Sequence, residues 1–256
     1  MPLDRLMKVA ESYREPSTFS GLIRTSSLPL QDARAEIGRG AAGLRFFEVK
    51  FPTIKTDCIE IDIPEPAWSG DNNYRRFRDF LTLLGNEFGA ERRIFVELDW
   101  ARPYTPLMAV MAEHGSRFGV KLRTGGVTAD AIPPSHAVAE FLHASAAHKL
   151  AMKATAGLHV PVPNEDQETG LCMHGFLNFF SAGFLAYSGR GGVYEIAEVI
   201  EDFGYEDFSF GENSMRCGSF EFSKGEIEHL RSHWLLSFGS CSFLEPIEHL
   251  ESHGLI

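Results

Sequence analysis

The chain has few cysteines. Cys58, Cys172, Cys217 and Cys241 are the four in 256 residues, and no two form a Cys-x-x-Cys pair. That spacing argues against a cysteine zinc site or a disulfide framework and suits reduced, packed thiols. No run of about 18 apolar residues is present to span a bilayer. Residues 1–9 carry charges without a long apolar stretch, so no secretory signal is expected and a cytoplasmic setting is. Bases are in deficit, 24 against 35 acids, for a net charge of −11. This excludes a general nucleic-acid or anionic-membrane binder but leaves room for a local basic pocket. A Walker A lysine loop and a Gly-x-Ser-x-Gly elbow are both absent. The pairs His229/His233 and His249/His253 lack the glutamate after the first histidine that marks the zinc-protease helix. With no repeat, low-complexity tract or long linker, residues 1–256 are expected to form one domain.

What is present is a large apolar fraction, 44% of residues, and a pattern that alternates in period. Residues 3–13 suit an amphipathic helix, 21–26 a short strand and 31–37 a helix that stops at glycines. The segment from Gly38 to Gly43 has the spacing of a dinucleotide fingerprint. A helix precedes it instead of a strand, so a helix stop and loop are expected. Residues 45–51 and 59–63 read as strands, with only seven residues between them, too few for a helical crossover. From residue 73 onward the order is regular: helix 73–88, strand 93–99, helix 106–114, strand 118–124, helix 136–148 capped by Ser135, and strand 150–156. Helices 173–187 and 193–203, a short strand 208–210, a helix from the capping box Ser223–Glu226 to about His233, and strand 234–238 follow. A second capping box, Ser242–Glu245, opens a terminal helix. Alternating strands and helices predict a mostly parallel sheet. The expected fold class is α/β, a TIM-like (β/α) barrel irregular in its N-terminal part, with an open doubly wound sheet as the alternative.

The strands divide by face. Ile94, Val96 and Leu98 oppose Phe95, Glu97 and Asp99; Val120 and Leu122 oppose Lys121 and Arg123; three isoleucines oppose Glu60 and Asp62; Phe47 and Val49 oppose Glu48 and Lys50. A charged inner face at strand ends suits the mouth of a barrel.

Lys153 sits in the short strand Leu150–Ala156, followed by Gly157 and His159. A cation in such a strand is costly unless paired or used. A neutral lysine amine can attack a carbonyl, and a cation on the next strand, such as Lys121, favours the neutral form. The alternative is an ion pair with Glu97 or Asp99. Arg123, Gly125 and Gly126 suit an anion at a strand end. Glu97, Asp99 and His159 could move protons, and His174 and Asn178 open the next helix as candidate ligands. Gly239, Ser240 and Ser242 lead into a helix N-terminus, a natural phosphate site, though Ser242 also serves as a cap.

The run Lys153-Ala154-Thr155-Ala156-Gly157 resembles the Schiff-base strand of deoxyribose-phosphate aldolases. That resemblance implies a lyase using Lys153 as nucleophile. More widely, Arg123–Gly126, Lys153–His159, His174–Asn178 and Phe238–Phe243 resemble a group of uncharacterised bacterial proteins over roughly residues 118–256. This implies a bacterial cytoplasmic protein without assigning an activity. The expected partner is a small anionic metabolite, with no cofactor, no nucleic acid and no membrane; a homo-oligomer is compatible with the reading. Two alternatives stay open: metal-assisted lyase or hydrolase chemistry on Glu48, Glu97, Asp99, His159 and His174, and a ligand-binding barrel without catalysis.

Overall fold

The computed structural model describes residues 17–68, 73–239 and 244–256. In chain order the elements are β1 (Ser17–Ile23), α1 (Leu30–Lys50), β2 (Ile54–Asp62), α2 (Glu65–Trp68), α3 (Asn73–Glu87), β3 (Arg93–Glu97), α4 (Thr105–Glu113) and β4 (Phe118–Arg123). A 3-10 turn at Ala129–Ala131 precedes α5 (Ser135–Ala147) and β5 (Ala151–Thr155). Next come β6 (Asn164–Glu165), β7 (Cys172–Met173), α6 (Phe176–Ser188) and α7 (Val193–Asp202). The chain ends with β8 (Phe208–Phe210), β9 (Ser214–Cys217), β10 (Phe220–Ser223), α8 (Lys224–His233), β11 (Leu235–Gly239) and α9 (Glu245–Ser252).

The fold is α/β. Six strands form one sheet in the order β1-β2-β3-β4-β5-β11, with parallel pairing at β1–β2, β2–β3 and β5–β11. A three-stranded antiparallel sheet, β10-β9-β8, and the two-stranded β6–β7 ribbon stand apart from it. Among the described residues no helix is long and apolar enough to cross a membrane. The chain separates into two compact units, 1–97 with 109–119, and 98–108 with 120–256.

The first unit corrects the expectation for residues 38–51. Neither the glycine stop nor the strand at 45–51 forms; one helix, α1, runs through both. Ala33, Ile37, Ala41 and Phe47 are buried along it, a spacing that suits a helix face. Glycine ends a helix when it takes the left-handed conformation just past the last turn. Gly38, Gly40 and Gly43 are not among the positive-φ residues, so they do not stop this one. Gly40 has a packing reason instead: a Cβ there would sit 2.7 Å from Ile23 Cδ1, so its absence lets α1 lie close to β1. The helix also supplies the crossover that parallel β1 and β2 require. Glu48 then belongs to α1, where it pairs with Arg92 at 2.6 Å, and no inner-strand role remains for it.

Also in this unit, two carboxylates of β2, Glu60 and Asp62, are buried and satisfied locally. Asp62 accepts the backbone N–H groups of Thr25 and Ser26 and, at 2.9 Å, the Ser26 hydroxyl. Glu60 accepts the Ser20 hydroxyl at 2.5 Å.

The second unit is organised around α6, in which ten of thirteen residues, Phe176 and Asn178–Ala186, are buried. A helix apolar on every side belongs in a core. Gly183 brings it against β11, where an added Cβ would meet Leu235 Cδ1 at 2.7 Å. Phe238 of β11 stacks on Phe176 with ring centroids 5.3 Å apart and meets Phe180 at 5.7 Å. The capping box at α8 forms as expected: Ser223 N–H donates to Glu226 Oε2 at 2.8 Å, and Glu226 N–H donates back to Ser223 Oγ at 3.3 Å. Ser135, by contrast, is not a cap. It is the first residue of α5, Pro134 occupies the cap position, and no side-chain capping bond forms. Met173 lies in β7 rather than in the following helix. The helix expected over 3–13 and the Ser242 cap lie outside the described residues.

Candidate functional site

The second unit brings the two lysines together. Lys121 and Lys153 are only 2% and 8% exposed, although each is a charged residue on a strand. Their register follows from backbone bonding. Met152 N–H bonds Trp234 O while Met152 is level with Leu235. Thr124 N–H bonds Thr155 O at 2.8 Å, so by the same parallel pattern Thr124 is level with Ala156. Three residues back on both strands, Lys121 is level with Lys153. On the other side of Lys153 its level partner in β11 is Ser237. Level residues on adjacent strands lie about 5 Å apart and share a face. That face is the one away from Phe238 and Ala154, which are level with each other and turned with Phe238 toward α6.

Just beyond this row the strand-end segments are drawn together. A Cβ on Gly125 would sit 2.7 Å from Gly157 Cα and 2.9 Å from Gly157 N, so only glycine fits. Thr124 Oγ1 donates to Ala156 O at 2.6 Å and locks the same crossing. Ala156 takes φ of +67° and Gly157 of +79°. For alanine this left-handed conformation is sparsely populated and costs of order 1 kcal/mol. The Thr124 bond and the adjoining ladder hold it. Gly126 packs on the 3-10 turn, where an added Cβ would meet Ala131 Cβ at 2.5 Å.

Arg123 is exposed at the end of β4, its Nε donating to Gly125 O at 3.0 Å. This bond shapes the turn. Gly239 is level with Thr155 at the end of β11; Ser240 and Ser242 lie outside the described residues. His159, half-buried after β5, has Nδ1 3.1 Å from Glu245 Oε2 at the first turn of α9. A carboxylate on Nδ1 orients the ring.

The remaining described candidates are Asp99, Glu97, His174 and Asn178. Asp99 follows β3, is exposed, accepts Ala101 N–H at 3.0 Å and pairs with Arg102 at 3.2 Å, which satisfies it within its own turn. Glu97, half-buried at the end of β3, belongs to the first unit and is level there with Asp62. His174 is buried with Nε2 2.7 Å from Pro133 O. A carbonyl only accepts, so Nε2 carries the hydrogen. Burial holds this imidazole below the usual histidine range, partly offset by the Pro133 bond and by Glu201. Asn178 is fully buried, and its amide nitrogen donates to Val199 O and Phe203 O, both at 2.8 Å. These are carbonyls at the C-terminal end of α7, which have no partner within the helix. Asn178 therefore closes α7 from a neighbouring helix.

Two residues escaped the sequence reading. Ser237 is level with Lys153, and its signal was its place two residues before Gly239 in a short strand. Glu245, the partner of His159, carried no local signal, because the two are brought together only by the fold. Among the described residues, no three His, Cys, Asp or Glu side chains gather as a metal-ligand set. No family model, curated protein or solved structure matches this chain.

Proposed function

We propose that the second unit acts on a small anionic carbonyl compound, phosphorylated or carboxylated, with Lys153 as an imine-forming nucleophile. The observation that carries this reading is the level row Lys121–Lys153–Ser237 beside the Gly125–Gly157 crossing. The scaffold is read as (β/α) barrel-like, a class in which ligands gather at the C-terminal ends of the strands.

The chemistry assigned to each group balances. The neutral Lys153 amine attacks the carbonyl carbon, a C–N bond forms, and the carbonyl oxygen leaves as water. A solvent proton converts the imine to an iminium, and water later hydrolyses the enamine that cleavage leaves, once it is protonated at carbon, to free Lys153. The iminium accepts the electron pair of the Cα–Cβ bond. That bond breaks as a base removes the proton from the neighbouring hydroxyl. His159, oriented by Glu245, serves as that base. Lys121 binds the anionic oxygen of the substrate, Ser237 hydrogen-bonds its carbonyl or hydroxyl, and Arg123 with Gly239 at the end of β11 holds the outer anion.

Borohydride reduction in the presence of small phosphorylated aldehydes and ketones, read by intact mass, tests this. One panel member should add its mass irreversibly to the wild-type chain, and peptide mapping should place the adduct on Lys153. Lys153→Met should abolish the adduct while keeping its melting transition. Absence of any adduct across the panel, or equal labelling of Lys153→Met, would overturn the proposal.

A further inference from the structure

A second concavity lies in the same unit and has no part in the lysine chemistry. It is a groove of about 390 Å³ between α6, α8 and the β8–β9 turn. Its floor and walls are apolar, built from Phe180, Phe184, Phe210, Met215 and Ile227. Arg231 enters this apolar setting. Its guanidinium lies 4.0 Å from the centroid of Phe180. Its only hydrogen bond among the described residues is a long one, 3.4 Å, to Leu236 O. No carboxylate pairs with it among the described residues. Burial alone lowers its proton affinity. A half-buried guanidinium that no carboxylate neutralises suits an incoming anion.

The groove has a direction. Arg231 lies beside Phe180, while Phe184 one turn along α6 meets Phe222 just before α8, so the two helices run antiparallel along the seam. Lys224 lines the other end, seven residues from Arg231 along α8, or about 10 Å. The exposed rim also carries Glu212 and Glu228, which disfavour a polyanion.

We propose that this groove binds a medium-chain aliphatic monocarboxylate, its carboxylate forked on Arg231 and its chain laid along Phe180, Ile227 and Phe184 toward the β8–β9 turn. Isothermal titration of the full chain with octanoate tests it, beside octanol and octylammonium of equal chain length. Octanoate should bind saturably with one site per chain, and both controls at least tenfold more weakly. Arg231→Gln should weaken octanoate at least tenfold. Ile227→Trp, which fills the half-buried floor and keeps Arg231, should also abolish binding. Lys153→Met should leave octanoate affinity unchanged, which separates this site from the imine chemistry. No saturable binding to the wild type, octanol binding as tightly as octanoate, or undiminished affinity in a folded Arg231→Gln or Ile227→Trp would each overturn the proposal.

Discussion

Replacing Asn178 measures whether its amide closes α7 or waits for a ligand. The amide nitrogen spends both hydrogens on Val199 O and Phe203 O. Asn178→Leu keeps the branch at Cγ and removes both donors, while its bulkier methyl groups add to the cost in a packed site. Each lost donor strands a buried carbonyl, at about 1–3 kcal/mol apiece. Loss of the buried Oδ1, which has no partner among the described residues, gives part of that back. The net expectation is a destabilisation of about 2–4 kcal/mol. At about 2–4 °C per kcal/mol for a chain of this size, the melting temperature should fall by roughly 4–16 °C. Urea unfolding with fitted slopes is the matching equilibrium assay. Asn178→Asp is the sharper variant, since two acceptor oxygens would then face two carbonyls in a buried site. Its deficit should exceed that of Asn178→Leu at pH 7. Burial raises the proton affinity of such a carboxyl, so its deficit should shrink as pH falls. A loss below about 1 kcal/mol for Asn178→Leu, or an aspartate variant as stable as the leucine one, would refute the reasoning.

Two further outcomes are expected. His174 is held below the ordinary value of 6.5 in the folded chain, so the unfolded state takes up a proton first as pH falls. Its stabilisation is complete above about pH 6.5 and declines below it; thermal melts from pH 7.5 to 5.5 should fall more steeply for the wild type than for His174→Gln, and parallel slopes would contradict this. Gly125→Ala forces a methyl to within 2.7 Å of backbone at Gly157. It should destabilise by more than about 1 kcal/mol, since the contact is backbone rather than a side chain that can swing away, and a melting temperature equal to the wild type would contradict the close crossing.

The regular part of the fold was legible because two signals agreed. β3, β4 and β5 each combine β-branched or apolar residues with a turn at their end, and helices long enough to cross over lie between them. α1 misled because Glu48, Val49 and Lys50 alternate over too few residues to separate period 2 from period 3.6. Its glycines resemble stops until the helix is seen against Ile23. β9 and β10 went unread although Met215 and Cys217 alternate with Ser214 and Arg216. The Gly218-Ser219 turn after them, with Gly218 at φ of +56°, is a hairpin signal. For the site, Lys121 and Lys153 could be found from one sequence because a charge inside a strand is conspicuous. Their shared level depended on register, which strand composition does not encode. Asn178 and His174 resembled ligands because polar residues opening an apolar helix have two uses, and only the carbonyls facing them decide between the two.

The β5–β11 pairing also sets an order of events for the growing chain. β4 and β5 are separated by one short helix, and α6 and α7 by a short turn, so their contacts close small loops. β11 can dock on β5 only after every element from β6 to α8 has been made and the large loop they form has closed. Such distant contacts form late and slowly. Ser237 therefore joins Lys153 at the end of folding, and a chain stalled before that step would hold its lysine strand with an open edge on one side.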